Sequence, residues 1–241
     1  MNKNISTLTT EQMVEVDRLM IEDYGIDLVR MMENAGHNLA TLGKRLLGGS
    51  VVGKQIAVGT GMGNNGGGGL VAARHLSNWG ADMTVVLAGP PEKFKAVPQE
   101  QLAILNHLPV TVEIADEQGD ISAFREAGLI IDAVIGYGLK GAPRGVPGRL
   151  IAQIDASDAI ILSLDAPSGL DTTTGRLFSP GVRATATLTL ALPKTGLVTL
   201  EAGKSVGDLY LADIGVPPNL YTHLGLDVGP LFDEDTIIKI S

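Results

Sequence analysis

The chain of 241 residues contains no cysteine, which excludes disulfide bonds and thiolate chemistry. Aromatic residues are scarce, with four Phe, four Tyr and one Trp, so few side chains could stack on nucleic-acid bases. Basic residues are outnumbered by acidic ones, and the formal net charge of -9 argues against a nucleic-acid surface. No apolar run reaches the roughly 18 residues of a membrane span, and no signal-peptide pattern opens the chain. We therefore expect a cytoplasmic protein that binds neither nucleic acid nor membrane.

Glycine is abundant instead, and it concentrates between an apolar run at residues 55–59 and a helix-patterned segment at 70–79. This order predicts a strand, a glycine-rich loop and a helix. Glycine lets a backbone approach a ligand closely, and the free N–H groups of a first helical turn favour anions such as phosphates. The loop lacks the Gly-Lys-Ser/Thr of a Walker loop. Its match to G-x-G-x-x-G at Gly61, Gly63 and Gly66 is weak in so glycine-rich a stretch.

Two adjacent asparagines, Asn64 and Asn65, are the unusual part of this loop. Their amides could donate hydrogen bonds to ribose or phosphate, or turn an oxygen onto a metal ion. The alternative is a tight turn in which asparagine is chosen for left-handed backbone conformations.

Apolar strand patterns alternate with helical patterns along the rest of the chain. Two helices precede the loop, the first opening on a capping box at Thr9 and Gln12 and the second near Asp27. Polar and very small residues at 33–36 suit a close approach to another backbone or a subunit interface, or else simple helix packing. Strands are predicted at 82–88, 110–114, 129–135, 159–164, 184–192, 196–200 and 208–214, and helices at 94–107, 121–127 and 146–156. This alternation predicts a mostly parallel sheet in a single α/β domain over residues 1–241, with residues 1–8 flexible.

Polar residues follow three of the predicted strands, where ligands of parallel sheets bind. An ionised Asp132 inside an apolar strand needs a partner or a cation, and it could instead cap backbone N–H groups of the next loop. Oxygen donors from Asn65, Asp132 and Ser168 suit an alkali or alkaline-earth ion. Asp165 is placed for acid/base work, whereas Asp171 is better explained as a turn cap.

Ordered motifs covering residues 13–217 resemble the YjeF N-terminal domain family, whose best characterised members are NAD(P)H-hydrate epimerases. The matching motifs are Asp17-Arg18, Tyr24-Gly25-Ile26, Met32-Glu-Asn-Ala-Gly36, Gly63-Asn-Asn-Gly-Gly67, Gly69-Leu-Val-Ala-Ala-Arg74, Asp132-Ala133, Gly136, Gly138-Leu139, Leu164-Asp165, Pro167-Ser-Gly-Leu-Asp171, Leu192-Pro-Lys-Thr-Gly196 and Asp213-Ile-Gly215. The resemblance implies a Rossmann-like, three-layer α/β/α fold and a homodimer to which the first helices contribute.

The resemblance also implies a reaction. The substrate would be hydrated NADH or NADPH (NADHX or NADPHX), carrying a hydroxyl at C6 of the reduced nicotinamide ring, and the product would pass to a separate NAD(P)HX dehydratase. Because the chain ends before a kinase-like dehydratase domain would fit, we expect that partner to be another polypeptide. Asn65, Asp132 and Ser168 match the ligands of one potassium ion per subunit, and Asp165 matches the acid/base. The positions matching substrate contacts are Asn64, Asn65, Gly66, Gly67, Gly68, Gly136, Tyr137, Gly138, Leu139, Lys140, Gly141, Ala142 and Asp165.

Three positions depart from the family pattern. Gly68 stands where the family usually has an aspartate, Tyr137 where it has a small threonine, and Ala166 where it has a branched residue. The carboxylate lost at Gly68 could hold a ribose hydroxyl or orient the reacting ring. Its absence favours an alternative function, a catalytically inactive module of the same fold that binds a nucleotide or an ADP-ribose-type ligand.

Overall fold

A computed structural model describes residues 5–116 and 121–241. Within them the chain forms one eight-stranded sheet with α-helices packed against it. The helices are α1 (Thr10–Arg18), α2 (Leu28–Leu46), α3 (Asn64–Asn78), α4 (Ala96–Leu105), α5 (Ser122–Glu126), α6 (Gly145–Asp155) and α7 (Gly203–Val206). The strands are β1 (Gln55–Thr60), β2 (Asp82–Leu87), β3 (Val110–Ile114), β4 (Leu129–Ala133), β5 (Ile160–Leu164), β6 (Ala186–Leu190), β7 (Asp208–Ala212) and β8 (Ile237–Lys239). The predicted α/β class is confirmed.

The strands lie in the order β3-β2-β1-β4-β5-β6-β7-β8, and all pairs are parallel except β7 with β8. The chain steps outward from β1 to β3 and then returns to the other side of β1. The carboxyl ends of β1 and β4 therefore form the switch point at which open parallel sheets bind ligands. In register, Gly59 of β1 pairs with Asp132 of β4, which pairs with Ser163 of β5. Asp132 thus lies near the centre of the sheet, with strands on both sides.

Both N-terminal helices begin where the sequence predicts. Thr9 accepts a hydrogen bond from the Gln12 N–H while the Gln12 side chain accepts one from the Thr9 N–H, the reciprocal pair of a capping box. Asp27 caps α2 by accepting from the Arg30 N–H. The close approach predicted near residue 36 is also found, because a Cβ on Gly36 would lie 2.4 Å from the Val71 Cβ of α3.

The structure corrects four expectations. The glycine-rich loop is shorter than predicted, since α3 begins at Asn64 and four of the glycines lie inside it. Asn64 and Asn65 are helical and not left-handed, so the tight-turn explanation of the pair is wrong. The predicted strand at 196–200 is a 3₁₀ turn, Thr195–Val198, followed by a fully exposed Leu200. Its apolar residues do not share one buried face, and the antiparallel β8 closes the sheet instead.

The fourth correction concerns residues 1–8, which the sequence predicts to be flexible. Residues 1–4 lie outside the described residues, but Leu8 is fully buried and its N–H donates to the Pro193 carbonyl. This contact ties the start of the chain to the segment that follows β6. Among the helices of the described residues, none is long and apolar enough to cross a membrane.

Candidate active site

A cavity of about 370 Å³ opens at the switch point of the sheet. Its floor is formed by residues that follow β1, β4 and β5, and its roof by α1 and α2. The lining residues are Met13, Asp17, Leu28, Met31, Met32, Ala35, Gly63, Asn64, Asn65, Gly68, Lys95, Val134, Ile135, Gly136, Tyr137, Gly138, Leu164, Asp165, Leu190 and Ile214. Most of the wall is apolar and the polar groups are few, as in sites that bind small molecules.

Asp165 lies on the cavity wall immediately after β5, and its backbone is strained. Its φ of 67° is in the left-handed region, which non-glycine residues seldom adopt and which costs on the order of 1–3 kcal/mol. The backbone is held there by a 2.7 Å hydrogen bond from the Asp165 N–H to the Leu188 carbonyl. One carboxylate oxygen, Oδ2, accepts a 2.9 Å hydrogen bond from the Tyr137 N–H. Such strain, kept in place by neighbouring groups, fixes the direction of the Asp165 carboxylate.

The second oxygen of Asp165 accepts a hydrogen bond from Lys194, a residue that sequence reasoning did not assign to the site. Lys194 is fully buried, and its ammonium also donates to the Leu190 carbonyl at 3.1 Å and to Thr189 Oγ1 at 3.4 Å. A buried ammonium without a counter-charge would be costly, so the two charges hold each other in place. The available signal was its position inside the motif Leu192-Pro-Lys-Thr-Gly196.

Asp132 is completely buried, and its carboxylate is held by neutral donors. Ser168 donates twice, from Oγ to Oδ1 at 2.5 Å and from its N–H to Oδ2 at 2.8 Å. Ser163 Oγ donates to Oδ2 at 2.8 Å, and the Val134 N–H lies 3.4 Å from Oδ1. Burial raises the pKa of Asp132, while these hydrogen bonds oppose the rise. Of the predicted cap of N–H groups in the next loop only the long Val134 contact is found, and the shorter N–H contact comes from Ser168 after β5. In the described part of the chain no cation pairs with this carboxylate.

Asn65 lies in the first turn of α3, and its side chain faces Gly136. A Cβ on Gly136 would lie 2.9 Å from both Asn65 Oδ1 and Asp165 Oδ2, so the amide and the carboxylate flank this glycine. The Asn65 Nδ2 atom is buried and finds no hydrogen-bond partner among the described residues. An unpaired buried amide donor is unusual, and it fits a site whose ligand supplies a hydrogen-bond acceptor.

Tyr137 spans the cavity from the floor to the roof. Its phenol donates a 2.6 Å hydrogen bond to Asp17 Oδ2 of α1, and its ring lies 5.7 Å from the Lys194 ammonium. Burial first, and then the negative charge of Asp17, raises the pKa of Tyr137, so the phenol keeps its proton. Asp17 is the second polar residue of the site that the sequence does not predict, although the motif Asp17-Arg18 is part of the family resemblance.

The glycines of α3 are required by packing. A Cβ on Gly66 would lie 1.9 Å from the Gly61 carbonyl oxygen, and one on Gly67 would lie 2.6 Å from the Met32 Sδ and Cε atoms. A Cβ on Gly68 would lie 2.7 Å from Leu164 Cδ2, the side chain that precedes Asp165. The position where the family usually has an aspartate is thus partly filled by a leucine from β5.

The structure places the predicted site residues in three groups. Those that line the cavity are Asn64, Asn65, Gly68, Gly136, Tyr137, Gly138 and Asp165. Asp132 and Ser168 lie beneath it, joined by their hydrogen bonds. Those that do not line it are Gly66, Gly67, Leu139, Lys140, Gly141 and Ala142. Asp171, predicted as a turn cap, accepts from the N–H groups of Thr173 and Thr174.

Comparison with known proteins agrees with this architecture. The chain is 42% identical over 228 residues to an NAD(P)H-hydrate epimerase of Dehalogenimonas lykanthroporepellens, covering 92% of this chain and 87% of that protein. It is 39% identical to a bifunctional NAD(P)H-hydrate repair enzyme Nnr of Moorella thermoacetica, covering 88% of this chain but only 41% of that longer protein. A crystal structure of the yeast protein YNL200c has the same fold, with a TM-score of 0.82 and 24% identity over 98% of this chain and all of that one.

The family model described as YjeF-related protein N-terminus matches residues 29–196, a span that includes β1 to β6 and most of the cavity wall. The match extends over more than half of the chain, and a relative of similar length is 42% identical over 92% of the chain. The chain therefore belongs to the YjeF-related N-terminal family.

Proposed function

We propose that this protein is an NAD(P)H-hydrate epimerase, an isomerase that interconverts the R and S forms of hydrated NADH or NADPH. The relatives that carry this name match the chain over most of its length. The observation that carries the chemistry is Asp165, which lies on the wall of the cavity with its carboxylate held by Lys194 and by the Tyr137 N–H.

The reacting part of the substrate would be the reduced nicotinamide ring with its C6 hydroxyl. A cavity of about 370 Å³ with an apolar wall suits this ring, and the rest of the dinucleotide would extend past the helix start at Asn64 and the loop at Gly138. The free N–H groups of the first turn of α3 favour a phosphate there. Lys95 at the rim supplies one positive charge.

Asp165 would act as the acid/base. Protonation of the C6 hydroxyl lets the nitrogen lone pair form a C=N bond while the C–O bond breaks, which releases water and leaves a planar iminium. Water can then add to either face of C6 as a carboxylate takes its proton, and the electron pair returns to nitrogen. General acid–base help of this kind contributes about 10² to 10⁴ in rate.

A potassium ion would be held by Asn65, Asp132 and Ser168. The fully buried Asp132 carboxylate supports this assignment, because it has hydrogen-bond donors but no counter-charge among the described residues. The ion would supply positive charge beneath the cavity and fix the start of α3 against the end of β4. Asp132→Asn should remove the potassium dependence of thermal stability, measured against the same concentration of lithium. A variant that keeps the full potassium dependence would contradict this ligand set.

The test is epimer exchange with one resolved epimer of hydrated NADH or NADPH, followed by NMR or chromatography. Asp165→Asn should lower the exchange rate by about two orders of magnitude or more while substrate still binds. Asp171→Asn is the matched control, because this carboxylate caps a surface turn and lies outside the cavity wall. Unchanged exchange in Asp165→Asn would remove Asp165 from the role.

One observation favours the alternative, a binding module without turnover. Leu164 fills the space in which the family's usual aspartate side chain would begin at Gly68. If the native protein binds the substrate but exchanges epimers no faster than solution, and Gly68→Asp restores exchange, the alternative is correct. A cytoplasmic location, a homodimer and a separate NAD(P)HX dehydratase that consumes the product stay predictions.

A further inference from the structure

Epimerisation at C6 makes a geometric demand that one carboxylate does not meet. The hydroxyl leaves from one face of the ring, and water must attack the opposite face to invert the centre. A carboxylate fixed on one wall reaches one face only, since Asp165 is held by its backbone conformation and two hydrogen bonds. If the proposed function is correct, on which this inference rests, a second acid/base group is needed on the other side.

The cavity wall contains a second carboxylate, Asp17 of α1, in the described part of the chain. It belongs to the roof, whereas Asp165 belongs to the floor at the end of β5. Tyr137 bridges the two carboxylates, because its N–H donates to Asp165 Oδ2 and its phenol donates to Asp17 Oδ2. The two carboxylates therefore lie at opposite ends of the Tyr137 side chain, and all three residues line the same cavity.

The surroundings of the two carboxylates differ. Asp165 is in direct contact with the Lys194 ammonium, whereas the hydrogen-bond partner of Asp17 is the neutral phenol of Tyr137. Burial raises the pKa of Asp17, the Tyr137 hydrogen bond and the Lys194 charge lower it, and the negative charge of Asp165 raises it further. Arg18, the cation next to it on α1, points outward and pairs with Glu15 and Glu22. Such a pair of unlike carboxylates is suited to opposite roles, one as acid and one as base.

We propose that Asp17 is the second acid/base group of the epimerisation and serves the ring face opposite Asp165. In one direction the Asp17 carboxylic acid protonates the C6 hydroxyl, the C–O bond breaks with electrons from the ring nitrogen, and water leaves. On the other face the Asp165 carboxylate takes a proton from a water molecule as its oxygen bonds to C6 and the electron pair returns to nitrogen. Asp165 is then protonated and Asp17 ionised, which is the state needed for the reverse direction.

The test is to measure epimerisation and the exchange of the C6 hydroxyl with oxygen-18 water in the same samples. Asp17→Asn should slow epimerisation about a hundredfold or more. The epimer whose hydroxyl faces Asp165 should still exchange its oxygen, with retention of configuration, because Asp165 can expel and return water on its own face. Asparagine is nearly isosteric and can still accept from Tyr137, so the variant should fold; its melting temperature checks this.

Two matched variants separate this role from a structural one. Tyr137→Phe keeps the ring but removes the donor to Asp17, and we expect the pH profile of epimerisation to shift while epimerisation persists. Glu15→Gln, an exposed carboxylate two residues away on α1, should change neither rate. Epimerisation at the native rate in Asp17→Asn, or equal loss of epimerisation and oxygen exchange for both epimers, would overturn the proposal. Failure of the proposed function itself would differ, because the native protein would then catalyse neither reaction.

Discussion

Replacing Gly68 by alanine tests whether this glycine is present because of Leu164. The added Cβ would lie 2.7 Å from Leu164 Cδ2, with Leu164 Cγ next at 4.0 Å. Carbon atoms in contact prefer a separation of about 3.5–4.0 Å, so the leucine methyl must move by about 1 Å. Leu164 is only 1% exposed, and the space into which its methyl can move is the cavity that it lines.

The expected free-energy change follows from two opposing effects. Overpacking a core costs about 1–3 kcal/mol, whereas glycine to alanine inside a helix gains about 1 kcal/mol. Gly68→Ala should therefore destabilise the protein by up to about 2 kcal/mol. At about 2–4 °C for each kcal/mol in a chain of this size, the melting temperature should fall by up to about 8 °C.

A double-mutant cycle with Leu164→Val makes the test independent of the absolute numbers. Shortening the side chain by one methylene costs about 1 kcal/mol by itself but removes the methyl that the new Cβ would strike. In that background Gly68→Ala should stabilise the protein, because only the gain in helix propensity remains. Urea denaturation of the four proteins gives the coupling free energy, which we expect to be about 1–3 kcal/mol. If Gly68→Ala is equally stabilising with leucine and with valine at 164, the steric reasoning is wrong.

Two further predictions concern charged groups. Lys194→Met leaves Asp165 buried without its counter-charge, and we expect urea denaturation to show that the free energy of unfolding falls by about 3–5 kcal/mol. Adding Asp165→Asn should recover part of this stability. A decrease below about 1 kcal/mol would mean that the ion pair contributes little. Glu33 is half-exposed, and although burial raises its pKa, hydrogen bonds from Arg74 and His75 lower it below the ordinary value on balance. Because the pKa of Glu33 is lowered on folding, its ionised form stabilises the folded protein above the unfolded value near 4.5, and this stabilisation is lost as the pH falls. The melting temperatures of the native protein and Glu33→Gln should therefore converge below that pH. A difference in melting temperature that stays constant from pH 7 to pH 3 would contradict this.

The sequence predicts the floor of the cavity well because parallel sheets place strand ends together. Asp132 and Asp165 each follow the rule that a polar residue in or after an apolar strand faces the switch point. Their separation in the chain is unimportant, since the order of strands fixes their positions. For the same reason the sequence predicts that Ser168, which follows β5, lies close to Asp132 of β4.

The sequence does not predict that Asp17 lies in the roof of the cavity, and the reason is physical. Asp17 lies on an amphipathic helix, and a single carboxylate on such a helix is most simply explained as a solvated residue. Its place in the cavity depends on how α1 docks on the sheet, through buried residues such as Met13 and Val16, which no local pattern specifies. The place of Lys194 in the site is not predicted for a similar reason. A lysine after a strand is expected to be exposed unless a buried carboxylate is known to lie beside it.

Docking of α1 and the chemistry of the cavity are therefore physically linked. The helix start is tied to the segment that follows β5 by Thr10, whose hydroxyl lies 3.2 Å from that of Thr172 and 3.1 Å from that of Thr173. The Thr172 hydroxyl in turn lies 3.4 Å from the Tyr137 carbonyl oxygen, and Tyr137 contacts both carboxylates. A change that loosens the N-terminal segment should thus widen the gap between Asp17 and Asp165 before it unfolds the sheet. Weakening the Thr10 contacts should consequently slow epimerisation while the melting temperature changes little, because the sheet that precedes Asp165 keeps its own core.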